Sequence, residues 1–534
     1  MMNRSIRLKS ITGIIFSLFT LYSVGQDVSN QTYKFGNTLG LIDAYYVDSV
    51  KLASLTEKAI IEVLKNLDPH STYVTAKDVR EMNEPLLGNF EGIGIQFNIL
   101  HDTIIVIEPI AGGPSEKVGL RSGDRIMFIN KEKVHGIAIS TAGVRNRLMG
   151  AKGTRVDISV WRKGEKDLQD FSIIRDKIPI YSVDASYMLN KETGYIKLNR
   201  FSATTDREFS EAIAKLRKTN MKNLVLDLRG NGGGYMYAAT SLANKFFPDQ
   251  KLLVYLQGRK TPRQDSFSFG DGSLSDTKVV VLIDEGSASA SEILSGALQD
   301  WDRAVIIGRR SFGKGLVQNQ FFLKDSSMIR LTVARYYTPS GRSIQSPYQD
   351  GYEKYMENFY KRYSDGEMLS ADSVHFPDSL KYKTLLNKRT VYGGGGIMPD
   401  LFVAIDTSYT SPYFRKLAGK NVLNMFALEY CDRNRAIITG KYKNFGEFKT
   451  KFEFSEDEIK SFIAKGEAEG IPFDEKQFNV SKAEMFLIVK GLIASNIWQI
   501  NEYFQVINQN DVVIDKALNV LSDTKAYNSL LGRK

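Results

Sequence analysis

The tightest constraint on the fold comes from short strands that are apolar on both faces. LVLDL at 224–228 and VVVLI at 279–283 leave no side for water, so each needs a packed layer above and below it. Between residues 179 and 345 such runs alternate with helical segments. GYIKLNRF leads to the helix REFSEAIAKLRKT, then NLVLDLRG to the helix YMYAATSLANKFF, then KLLVYLQG. KVVVLIDEG leads to the helix SASEILSGALQD, and the strands AVIIG, LVQNQFFL and MIRLTVARYY close the block. This alternation predicts an α/β core with a largely parallel sheet and helices packed on it.

The other segments differ in texture. The chain has 534 residues, enough for three or four domains. Residues 26–87 read as helical, and LDPHSTYVT breaks that pattern with a proline. Residues 88–177 form a β-rich unit in which GIGIQFNI, TIIVIEPI, DRIMFINKEKV and RVDISVWR are separated by glycine turns, with one helix, STAGVRNRLMG. Residues 346–392 read as a polar, tyrosine-rich insertion, and GGGGIMPDLFVAI returns the chain to the core at 393–406. Residues 407–534 are helical, with capping-box spacings at Ser455–Glu458 and Ser481–Glu484.

The first 25 residues read as a signal peptide. Arg4, Arg7 and Lys9 precede an uncharged apolar stretch, and Ser23 and Gly25 sit at small-residue positions before a cut at Gln26. The expected location is the periplasm, with no stable membrane span after cleavage; an uncleaved membrane anchor is the alternative. Cys431 is the only cysteine, so no intramolecular disulfide forms. The formal charge of +10 includes the three basic residues of the leader and no long Lys/Arg block. Spread this thinly, it describes a solvated surface, and a nucleic-acid partner is not expected.

Three segments carry candidate chemistry. LDLRGNGGG runs a buried strand into Asn231, Gly232, Gly233 and Gly234, where backbone amides can meet a phosphate, a carboxylate or an oxyanion; a tight turn is the plain alternative. IDEGSASASEIL places Ser287, Ser289 and Ser291 at the start of a helix, where a serine is ordinarily a cap but where first-turn amides also favour developing negative charge. GRRSFGKGLVQ comes close to a phosphate-binding loop at Gly308, Gly313 and Lys314. It carries Gly315 where a magnesium-holding hydroxyl belongs, and a strand follows instead of a helix. Glycines on both sides of Lys314 allow its amine to be aimed inward, where burial lowers its pKa. The four histidines, His70, His101, His135 and His375, all lie outside the α/β block. That favours a Ser-Lys pair over a Ser-His-Asp triad, and no His/Cys cluster suits a metal.

Taken in order, LDPHSTYV, FEGIGIQF through AGGPSEKVGLRSGDRIMFIN, LVLDLRGNGGG, GSASASEILSGALQD, GRRSFGKGLVQ and YYTPSGRSIQ resemble the carboxy-terminal processing proteases, the PDZ-containing tail-specific serine peptidases of family S41. The resemblance covers roughly residues 35–405. It implies a crotonase-like (ClpP-related) protease core with an inserted PDZ domain, and a serine endopeptidase without metal or cofactor. It implies Ser289 as nucleophile, Lys314 as base, Gln318 as the residue orienting the lysine, and Asp300 in support. The oxyanion hole would come from the amides of Ala290 and of Gly232 or Gly233. Lys314 and Gln318 are expected on one strand, four positions apart and facing one side. The PDZ groove, with Gly92, Ile93, Gly94 and Ile95 as carboxylate cradle, implies substrates with free C-terminal tails of envelope proteins. A catalytically inactive, peptide-binding relative is the alternative reading. Residues 346–392 and 407–534 lie outside the resemblance and are open to roles as a homodimer contact, an adaptor platform or a lid.

Overall fold

A computed structural model describes residues 27–533. The expected leader at 1–25 lies outside them. Among the described residues no helix is long and apolar enough to cross a membrane.

The doubly apolar strands form the centre of a six-stranded sheet. Its order is Val183–Met188, Thr193–Leu198, Asn223–Asp227, Lys278–Ile283, Val305–Gly308 and Leu401–Phe402. The first pair is antiparallel and the others are parallel. Side chains alternate between two cores, as the period of two requires. Leu224, Leu226, Val279, Val281 and Ile306 pack against the helices Thr205–Lys218, Met236–Asn244 and Ala290–Asp300. Val225, Val280, Leu282, Val305 and Ile307 pack against Val513, Ile514, Ala517, Val520 and Tyr527. The helices covering that second face, Val512–Ser522 and Thr524–Leu530, come from the far end of the chain. The terminal helical region therefore divides: its last part belongs to the α/β core, while helices between Pro412 and Ile507 build a separate aromatic-rich bundle.

Three of the strands read as part of the α/β block leave the parallel sheet. Leu252–Gln257, Leu316–Phe322 and Met328–Tyr337 form a second, antiparallel sheet with Gln264–Phe267 and with Thr72–Val74 from the N-terminal region. The β-rich unit is an antiparallel sheet ordered Ile95–Leu100, Thr103–Pro109, Arg125–Ile129, Arg155–Trp161 and Gln169–Ile174. The chain enters and leaves it through one two-stranded ladder, Asn89–Gly92 against Asp176–Pro179. The insertion holds the helix Tyr352–Ser364 and the hairpin Lys381–Lys383/Thr390–Tyr392, and Leu401–Phe402 returns to the sheet edge beside Val305–Gly308.

Ser455 and Glu458 form the expected capping box, with Glu458 Oε2 accepting from Ser455 N at 2.7 Å. Ser481 does not cap. It lies inside the helix Glu475–Ile497, whose cap is Asp474, and its buried hydroxyl meets Ser411 Oγ at 2.8 Å. The S-x-x-E spacing is the same in both places; at Ser481 the preceding residues continue the helix, so no free first-turn amide awaits it.

Candidate active site

Ser289 stands between the strand Lys278–Ile283 and the helix Ala290–Asp300. Its backbone is held at φ 55° and ψ −112°, a conformation that costs a non-glycine residue of order 1–3 kcal/mol and survives only where its surroundings enforce it. The enforcement comes from Glu292, three residues on and fully buried. Glu292 Oε2 accepts from Ser289 N at 2.8 Å and from Lys314 N at 2.9 Å, while Oε1 accepts from Gly313 N at 2.7 Å and Ser311 Oγ at 2.6 Å. One carboxylate thus joins the start of the serine helix to the lysine loop. Burial pushes its pKa up to about 7 against the pull of these donors.

Lys314 precedes the strand Leu316–Phe322 and is not part of it, so shared strand facing does not explain its pairing with Gln318. A register shift at Val317/Gln318 intervenes as well. Lys314 Nζ nevertheless donates to Gln318 Oε1, at 3.4 Å. The glycines around it serve close packing. A Cβ on Gly313 (φ 92°) would lie 2.2 Å from Ser346 Oγ, and one on Gly315 2.9 Å from Gln345 N. The amine is largely buried, and that burial, with the Arg330 charge second, lowers its pKa to about 8.

Gln318 is itself fixed. Its Nε2 donates to the His70 carbonyl. That carbonyl is placed by the LDPHS turn, where Asp68 Oδ1 accepts from His70 N at 2.8 Å and Ser71 N at 2.9 Å. His70 therefore reaches the site from the N-terminal region. Its ring meets Tyr355 edge-on at 5.6 Å, and burial followed by the Lys314 charge lowers its pKa to about 4, which keeps it neutral near pH 7. The Tyr336 hydroxyl donates to the Lys314 carbonyl and lines the same cavity as Ser289.

The glycine loop abuts the serine. A Cβ on Gly233 would sit 2.8 Å from Ser289 Cβ and 3.0 Å from Ala290 N. The Gly233 amide is occupied by Asn231 Oδ1 at 2.9 Å, whereas the amides of Gly232 and Ala290 meet no protein acceptor among the described residues. Arg229, beside this loop, pairs with Asp227 at 2.6 Å and with Asp511 at 2.8 Å. Asp300 closes the far end of the serine helix, in a fully buried ion pair with Arg342 at 2.8 Å and accepting from Ser340 N at 2.9 Å.

Ser289, Lys314, Gln318, Gly232, Gly233 and Arg330 line one cavity of about 450 Å³, walled by Met82, Pro85 and Leu86. Another cavity of about 500 Å³ lies between the β-rich unit and the helical bundle and includes Cys431. That thiol is pushed up to about 12 by burial and is not a nucleophile.

In the β-rich unit, Gly92, Ile93, Gly94 and Ile95 form the turn between its entry strand and the edge strand Ile95–Leu100. Ser115 N and Ile110 N donate to the Ile93 and Gly94 carbonyls at 3.1 and 2.9 Å, which fixes the turn. The helix Thr141–Leu148 shares its core, through Val144 and Leu148.

The motifs led to a serine run and to Lys314, the family resemblance chose Ser289 and added Gln318, and Glu292, Tyr336, Arg330 and any part for His70 were passed over. For Glu292 a signal existed, the S-x-x-E spacing from Ser289. The others meet only through the fold.

Family models match three stretches: Peptidase family S41 over residues 192–351, PDZ domain over 92–173, and a family of unknown function over 413–499. The carboxy-terminal-processing protease of Bartonella bacilliformis is 37% identical over 325 residues, 60% of this chain and 74% of that protein. The "Probable CtpA-like serine protease" of Staphylococcus aureus is 34% identical over 313 residues, 58% of this chain and 62% of that protein. Among solved structures, the photosystem II D1 C-terminal processing protease aligns over 59% of this chain and 90% of its own, at 29% identity and a TM-score of 0.34. The class so defined is a serine peptidase of family S41 carrying a PDZ domain. Within it, the chain belongs to the carboxy-terminal-processing proteases.

Proposed function

We propose that this peptidase cuts with a Ser289–Lys314 dyad. The neutral Lys314 amine takes the Ser289 hydroxyl proton as Oγ attacks the substrate carbonyl carbon. The Ala290 and Gly232 amides receive the oxyanion. The Lys314 ammonium then protonates the leaving amine, and water, deprotonated by the same lysine, releases the acyl group. Gln318 Oε1 aims Nζ, while Asp300 holds the serine helix in place. The observation that carries this reading is the single Glu292 oxygen that accepts from the main-chain amides of both Ser289 and Lys314. It ties nucleophile and base to one rigid point beside a shared cavity.

The PDZ module supplies the substrate class. Ile95–Leu100 is an edge strand, open to a peptide added as a further strand, with Gly92–Ile95 at the position for its terminal carboxylate. The substrates are C-terminal tails of envelope proteins, met in the periplasm once the leader at 1–25 has directed export. The mixed sheet and its helices support a crotonase-like core.

The test is digestion of a protein bearing an apolar C-terminal tail. Ser289→Ala and Lys314→Ala are each expected to lower the rate about a thousandfold or more, and amidating the tail to raise KM. Cleavage by Ser289→Ala at the wild-type rate overturns the dyad. A wild-type protein that binds the tail without cutting it overturns the endopeptidase reading in favour of a peptide holder.

A further inference from the structure

The cavity that holds Ser289 and Lys314 contains a second cation to which the dyad assigns no contact with substrate. Arg330 lies on the strand Met328–Tyr337, between Thr72 and Gln320 of the neighbouring strands. Its guanidinium is half-buried. Nη2 donates to Gln318 Oε1 at 3.0 Å, and Nη1 faces only the Met82 sulfur, at 3.6 Å. Among the described residues no Asp or Glu oxygen comes within 4.0 Å of it: the cavity's lining includes Lys314 and Arg330 but no carboxylate. Several other arginines withdrawn into the protease core have an acid or carbonyls as partners. Arg229 has Asp227, Arg342 has Asp300, and Arg303 has the carbonyls of Phe246 and Thr277.

A guanidinium withdrawn from water without an anion is costly. A thioether is a poor acceptor for it, and its planar fork matches a carboxylate. We propose that Arg330 is a substrate-binding residue that takes a carboxylate of the bound peptide inside the catalytic cavity, so that the enzyme selects acidic chain near the cut bond. This rests on the cavity being the place of cleavage. The carboxylate has two sources, an Asp or Glu side chain or the chain terminus itself. Loss of water on peptide binding strengthens the pairing. Arg330's positive charge also helps lower the Lys314 pKa, so a bound carboxylate would couple occupancy of the subsite to the state of the base.

The test compares matched peptides within each enzyme form, so that general damage to catalysis cancels. In one arm, quenched peptides with an identical apolar tail carry Glu or Gln at each position flanking the cut bond. In the other, short peptides carry a free or an amidated terminus. Wild type is expected to favour Glu over Gln at one position by about tenfold in kcat/KM. Arg330→Gln abolishes that ratio, Arg330→Lys keeps part of it, and Arg330→Glu inverts it. If the terminus is the source, the amidation penalty shrinks in Arg330→Gln instead; a penalty equal in both forms belongs to the PDZ groove. Equal ratios for wild type and Arg330→Gln in both arms overturn the proposal. Should Arg330→Gln turn over no peptide, affinities of the Glu and Gln peptides are measured by fluorescence anisotropy in Ser289→Ala and in Ser289→Ala/Arg330→Gln. A Glu preference lost in the double variant supports the subsite, and one retained overturns it. Failure of the dyad itself reads out separately, as cleavage by Ser289→Ala.

Discussion

Glu292 ties Ser289 to Lys314, and if these two form the proposed dyad its charge state should be visible in kinetics. Four donors face its two oxygens, an arrangement best met by the ionised form, whose pKa is pushed up to about 7. Lys314 must be neutral to act, and its pKa is lowered to about 8. Both groups lose a proton as pH rises, so kcat/KM should climb and then level above about 8, with a logarithmic slope near two below about pH 7 and near one between 7 and 8. A pH–rate profile checks this. Glu292→Gln should remove the steeper portion. It also turns an NH₂ group toward amides that need an acceptor, so a stability loss of about 1–3 kcal/mol is expected in denaturant melts. At this scale the sequence was informative where chemistry leaves a motif. A serine run at a helix start and a glycine-flanked lysine were legible; the strain at Ser289 was not, because the S-x-x-E spacing reads equally as an ordinary cap, and the second cation at Arg330 was not, because it meets the site only through the fold.

Among the elements, the insertion does the least expected work. Its residues read as a polar, tyrosine-rich interruption, since spacing says nothing of which distant surface an aromatic side chain meets. In the structure the helix Tyr352–Ser364 lies on the lysine loop. Arg362 Nη1 donates to the Ser311 carbonyl at 3.0 Å and Nη2 to that of Arg310 at 2.7 Å. Phe359 packs on Phe312 at 4.9 Å, and Tyr355 meets His70 Nε2 at 3.3 Å. Glu367 anchors both Arg310, at 2.6 Å, and Arg362. Arg362→Ala should free the loop that carries Lys314 and leave two buried carbonyls unpaired. The expected result is a drop in kcat of about tenfold or more with a smaller change in KM, read from steady-state kinetics on one tail substrate. A kcat equal to wild type would mean that the helix merely covers the loop. The central strands and their helices, by contrast, were plain from apolar runs. The separate antiparallel sheet was not, because a strand's pattern does not name its partner.

At the scale of the whole molecule, the protease core is closed by chain drawn from both of its ends. Thr72–Val74 pairs with Met328–Tyr337, and residues 512–531 cover the central strands on one face of the parallel sheet, with Ile500–Ile507 over its edge strand. Asp511 caps the covering helix through Oδ1, at 2.9 Å from Val513 N, and holds Arg229 through Oδ2. Truncation before Asp511 should uncover Val225, Val280, Leu282 and Ile307 and release the glycine loop together. At about 1.5–3 kcal/mol for each large apolar side chain, the loss exceeds what a domain can spare. The truncated chain is expected to be inactive and to be cut within the core in limited proteolysis, where the full chain resists. The sequence pattern puts all of 407–534 in one helical region, because helices packed on a sheet and helices packed on each other carry the same periodicity. The late position of this covering strip also sets a timetable. A ribosome must reach these residues before the sheet can be sealed, so a chain whose synthesis stops short of them is expected to lack an assembled peptidase with which to attack its neighbours.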